Sequence, residues 1–128
     1  MVKLKEVLHK KFKLSVHDSG AYYEVYIYSD VIFEIQDRKD FVKAQVELGA
    51  KVLPVLITIG QHATTTIDFL RYTSKKVNDP YTKAEAFVTR FMAARILINF
   101  YLKIIKPERP SKLFDSNEKA IAWIKCLK

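Results

Sequence analysis

Pro54-Val-Leu-Ile-Thr-Ile59 is a near-continuous apolar run rich in β-branched residues. Such a run suits a strand covered on both faces, the setting of a central strand with parallel neighbours. Pro54 has no amide hydrogen to give a ladder, so it is expected at the strand's first residue. A strand of this kind needs crossover helices on both sides of it in sequence, which makes α/β the expected class.

Upstream, Phe41, Ala44, Gln45 and Leu48 recur at helical spacing and Gly49 fits the stop. Asp37, followed by Asp40, predicts the start of that helix through capping and the helix dipole. Earlier still the period is two. Phe12, Leu14 and Val16 alternate with Lys11, Lys13, Ser15 and His17, and Asp18-Ser19-Gly20 supplies a turn. Tyr22 to Tyr28 alternates in the same way, and Ser29-Asp30 leads into Val31 to Ile35. The closeness of these runs predicts an antiparallel meander of three strands. Residues 1–10 read as a loose arm or a first helical turn.

Downstream, Thr64, Thr65 and Thr66 follow Gly60-Gln61-His62-Ala63 and are suited to cap a helix carrying Ile67, Leu70 and Ser74 inward. Asn78-Asp79-Pro80 ends it. Ala84 to Val88 predicts a short strand, and Arg90 to Ile105 a helix whose mostly apolar sides should make it the most buried one. Leu113-Phe114 allows a last strand. Asp115 with Glu118 predicts a capping box for a terminal helix with Ala120, Ile121, Ile124 and Leu127 as its apolar stripe. The predicted order is βββαβαβαβα, a mixed β-sheet with helices in one domain across residues 1–128.

Length agrees, since 128 residues suit one core and would make two domains too small. An apolar fraction of 49% argues against extended disorder. The net charge of +8 is dispersed, with no block of five or six like charges, so no nucleic-acid partner is expected. Met1 to Lys13 lacks the apolar core of an export signal. Phe91 to Ile105 is too short and too polar to span a bilayer, so no membrane insertion is expected. Cys126 is the single cysteine; no internal disulfide can form, and a reducing cytoplasmic setting is the natural expectation.

Catalytic patterns are missing. His9, His17 and His62 are scattered without a nucleophile elbow, a His pair or clustered acids. Gly20, Gly49 and Gly60 are isolated, so neither a dinucleotide fingerprint nor a P-loop exists. The expectation is a non-enzymatic domain with no cofactor and no metal. Two places could carry contacts. Arg95, Asn99 and Lys103 recur every four residues on the 90–105 helix and, with Lys106 and Arg109 of the following loop, form a candidate surface for a partner or an amphiphilic ligand. Tyr22, Tyr26 and Tyr28 share one strand face, suited to a protein interface or to the core.

The order and particular residues resemble the SpoIIAA-like, or STAS-type, fold and within it small bacterial proteins labelled STAS/SEC14-like. The residues that carry the likeness are Asn99-Phe-Tyr-Leu-Lys-Ile-Ile-Lys-Pro107, Lys112-Leu-Phe114 and Glu118-Lys-Ala-Ile-Ala-Trp-Ile124, with Pro54 to Ile59 as the central strand. STAS-type anti-sigma-factor antagonists carry Asp-Ser-Ser-Gly after that strand, with a phosphorylated serine. Here the stretch reads Gly60-Gln-His-Ala-Thr-Thr-Thr-Ile-Asp68, so the resemblance implies the fold and not that switch. Thr64, Thr65 and Thr66 are the phosphoacceptors it would offer, and helix capping is the plainer role for them. The expected function is regulatory, through protein contacts that include a second copy of the chain. Binding of a small amphiphilic or lipid-like ligand near the 90–105 helix is the alternative.

Overall fold

The apolar run at the centre of the sequence is also at the centre of the sheet. A computed structural model describes residues 5–127. Its main sheet contains β1 (Glu6–Leu8), β2 (Phe12–Val16), β3 (Tyr23–Ile27), β5 (Leu53–Ile59), β7 (Thr82–Val88) and β8 (Ser111–Phe114), side by side in that order. The first three are antiparallel, and β3, β5, β7 and β8 are parallel. Two short strands, β4 (Ile32–Phe33) and β6 (Thr64–Thr65), pair in parallel as a separate ribbon. The helices are α1 (Ile35–Glu47), α2 (Ile67–Ser74), α3 (Met92–Phe100) and α4 (Asn117–Cys126). This is a mixed α/β fold with a mostly parallel sheet and four helices.

The third strand expected at residues 31–35 does not pair with β3. One edge of β3 is taken by β2 and the other by β5, whose two apolar faces suit a place inside the sheet with helices over both sides. The meander is completed instead by β1, within the stretch expected to be a loose arm or helical turn; residues 1–4 of that stretch lie outside the described residues. Gly60 explains how the chain turns away after β3. A Cβ there would lie 2.6 Å from the Ser29 amide nitrogen and 2.8 Å from the Ile27 carbonyl oxygen. Only glycine lets the two loops meet, with Asp30 donating its amide hydrogen to the Gln61 carbonyl.

Helix ends shift in informative ways. The capping box of α1 is Glu34 with Asp37, one turn before the expected start, and Ser116 rather than Asp115 caps α4 by accepting from the Lys119 amide. Ile67, expected inward, is half exposed because the buried face of α2 runs through Phe69, Leu70, Thr73 and Ser74. Pro54 is the second residue of β5 rather than its first.

Helices α1, α2 and α3 cover one face of the sheet over an aromatic core containing Phe12, Tyr23, Phe41, Phe69 and Tyr101. Among the described residues the other face is covered by α4 alone, where Ala120 and Ile124 meet Leu56, Ala86 and Val88. The expectation that the 90–105 helix is the most buried fails. Only Ala94 and Ile98 of α3 are buried, while Met92 is 69% and Ile96 61% exposed. The helix ends in a π-turn, Tyr101–Ile105, closed by Lys106 in the left-handed region at φ 60°. Among the described residues, no helix is long and apolar enough to cross a membrane.

Candidate functional site

Between the sheet and α1, α2 and α3 lies a cavity of about 100 Å³. Its walls come from strand and helix periodicity acting together. Val55, Ile57 and Ile59 project from β5 at spacing two, and Ala94, Leu97, Ile98 and Tyr101 project from α3 and its π-turn at helical spacing. Phe41 and Phe69 close the sides. Thr64 is the exposed residue of the lining and Leu97 is half-buried, which puts the mouth at the carboxyl ends of the strands. Crevices in open parallel sheets form at this end.

The opposite end is polar, and a bulge in β7 builds it. Leu53 pairs with Thr82 and Val55 with Glu85, so β7 spends three residues where β5 spends two. Thr82 and Glu85 would point to opposite faces of a regular strand; the extra residue puts both on the α1–α3 side. Glu85 Oε1 accepts hydrogen bonds from Tyr101 (2.8 Å), Ser111 (2.9 Å) and Arg109 (3.2 Å). Arg38 of α1 donates to Asp79 Oδ2 at 3.0 Å, and its other terminal nitrogen lies 3.8 Å from Glu85 Oε2. Asp79 Oδ1 accepts from Thr82, whose oxygen in turn accepts from Gln45.

Arg38, Asp79, Glu85 and Arg109 are all buried, and as ions their charges cancel. Removing any one would strand its partners in a low-dielectric setting, at a cost of about 3–5 kcal/mol. Burial works against the Arg109 charge, but Glu85 and then Asp79 outweigh it and raise the guanidinium further above its ordinary value. Burial, followed by the Glu85 charge, pushes the Tyr101 hydroxyl far above the usual phenol range, so it stays a donor. The π-turn sets that donor in place: the Lys106 amide donates to the Tyr101 carbonyl, one residue beyond an α-helical bond.

Among the described residues, two polar atoms of the cavity lining have no partner. Arg38 Nε and Thr73 Oγ1 are both buried without a hydrogen bond, in residues 8% and 1% exposed. Arg38 also lies over the Phe41 ring, 4.8 Å from its centroid.

The residues singled out in the sequence are placed otherwise. Arg95, Asn99 and Lys103 do not line the cavity, and Arg95 donates to the Thr89 carbonyl. Lys106 is an exposed cap, whereas Arg109, expected at the surface, is buried in the charge network. Thr65 donates to the Phe33 carbonyl and Thr66 caps α2 by accepting from the Phe69 amide; Thr64 remains exposed at the mouth. Tyr22 is buried and stacked on His17, while Tyr26 is 43% exposed.

Contrary to the expectation of no clustered acids, potential ligand atoms of His9, Asp37 and Asp40 lie within 4.8 Å of one another. Local bonds already occupy them. Lys11 Nζ is 2.7 Å from Asp37, the Glu34 amide donates to the same carboxylate, and His9 Nε2 lies 2.9 Å from Asp40. The hydrogen bond from Gln36, then that with His9, holds the Asp40 carboxyl below its ordinary value.

Apart from Arg109, singled out as a surface contact, the floor residues carry no clear sequence signal because they are spread from residue 38 to residue 111. A trace was present: Arg38 shares the helical phase of Phe41, Gln45 and Leu48, and Glu85 is a lone acid between two alanines. No curated protein and no solved structure matches the chain. Residues 23–128 do match a family, and this span omits β1 and β2 but contains every residue of the cavity and its floor. The chain thus belongs to the family described as Domain of unknown function (DUF7793).

Proposed function

We propose that this domain is a non-enzymatic binding module that takes up a small amphiphilic molecule, with the polar end of the molecule against Arg38 and Thr73. The observation that carries the reading is an apolar cavity ending in two buried polar atoms without partners. A side-chain arrangement serving packing alone would fill that space, and buried polar groups as a rule find partners. Binding is favoured over catalysis because Arg38 and Glu85, the ionised groups of the lining, are already committed to each other and to Asp79, Tyr101, Arg109 and Ser111. We read the fold as STAS-type, supported by the succession βββαβαβαβα once β4 and β6 are set aside. The exposed lone thiol of Cys126 fits a reducing cytoplasm.

Native mass spectrometry of the full chain purified from the cells that make it tests this. The expected result is a small bound molecule that is lost in Leu97→Trp, which fills the mouth. A ligand-free spectrum for the wild type would count against the reading.

A second reading, regulation through protein contacts, is favoured by the outer side of α3 and its π-turn. Met92, Ile96 and Ile104 are each more than 60% exposed there, beside Lys103 and Lys106. An acidic partner suits this surface better than a second copy, since a twofold contact would set the cations against themselves. Sedimentation of the full chain should then show a monomer, and a dimer abolished by Ile96→Glu would make the partner a second copy.

A further inference from the structure

The charge pattern of the floor restricts which polar end the cavity accepts, an inference that rests on the cavity being a ligand site. The lining carries one cation, Arg38, and one anion, Glu85, with Nη2 and Oε2 3.8 Å apart. Behind them Arg109 and Asp79 complete two pairs, so the floor holds no spare charge of either sign. A carboxylate placed against Arg38 would sit beside Glu85, and an ammonium placed against Glu85 would sit beside Arg38. Either ion would leave water without a counter-charge of its own, which is costly in a buried site.

The open valences of the cavity lining are of another kind. Arg38 Nε carries an N–H that can only donate, and the Thr73 hydroxyl can donate or accept. An uncharged oxygen can accept from either group without bringing a charge of its own. We infer that the site selects neutral amphiphiles, such as alcohols and amides with a short apolar body, over fatty acids and alkylamines of the same length. The size of the body follows from the space. An apolar cavity of about 150 Å³ accepts benzene. The 100 Å³ here, together with the mouth between Thr64 and Leu97, suits a short alkyl chain.

NMR titration of the full chain with hexanol, hexanamide, hexanoate and hexylamine tests this. Hexanol and hexanamide should shift the Arg38 Nε–H and Thr73 signals, with affinities at least tenfold above those of the two ions. Thr73→Val keeps the shape and removes the hydroxyl. It should weaken hexanol about three- to tenfold, the worth of one hydrogen bond, with the circular dichroism spectrum unchanged. Hexanoate or hexylamine binding in the cavity as tightly as hexanol would overturn the inference and leave the ligand site standing. An undiminished hexanol affinity in Thr73→Val would remove Thr73 from the contact. Failure of all four compounds to bind would overturn both the inference and the ligand site.

Discussion

On the α4 side of the sheet, β7 presents Ala86 and Val88 to Ala120 and Ile124 of the helix, and these small side chains let the two surfaces close. On the α1–α3 side the same strand presents Thr82, Glu85 and Phe87. Large aromatic rings hold the three helices off the strands there, leaving a cavity above a buried ion network. One strand thus serves a closed interface with one face and a hollow, charged one with the other. The bulge between Thr82 and Glu85 separates the two roles, because it moves two polar side chains to the hollow side without exposing either. Charge and empty space both add cost to a core, so their concentration on one side is what points to a site.

Substitutions on the two faces of β7 should therefore differ in size. Glu85→Leu strands Arg38 and Arg109 and should cost about 3–5 kcal/mol in urea unfolding. Its neighbour on the closed face, Ala86→Leu, should cost about 1–3 kcal/mol by overpacking. Equal costs would break the comparison.

Alkaline titration sharpens it further. The folded-state pKa of Tyr101 is raised, so its contribution to stability is fully present below the ordinary tyrosine value of about 10 and declines as pH rises above it. Thermal unfolding should show that decline in the wild type and a shallower one in Tyr101→Phe. At the rim, Thr66→Ala removes the cap of α2 and should cost about 1 kcal/mol. Lys103→Ala, on an exposed position outside the cavity, should change stability by less than about 0.5 kcal/mol.

Much of the closed side was legible in the sequence. The 54–59 run predicts a strand buried on both faces, and of the stripe Ala120, Ile121, Ile124 and Leu127 the first three form the inner face of α4, while Leu127 lies just past its end. The 31–35 segment pairs away from β3 because alternation shows that a segment can pair and not with which neighbour; β5 takes the edge of β3. The apolar sequence of α3 predicts burial, yet a helix resting on one sheet face can bury only one stripe. The floor was the least legible part. Arg38, Asp79, Glu85, Tyr101 and Arg109 meet only through the bulge and the π-turn, and neither leaves a periodic trace.

The central claim is that the hollow side, and not the exposed stripe of α3, is where this protein takes its ligand. Intermolecular nuclear Overhauser contacts between hexanol and the methyl groups of the full chain test it directly. The account predicts contacts to Ile57, Leu70 and Ile98 inside the cavity. Contacts confined to Met92, Ile96 and Ile104 on the outer face would contradict it.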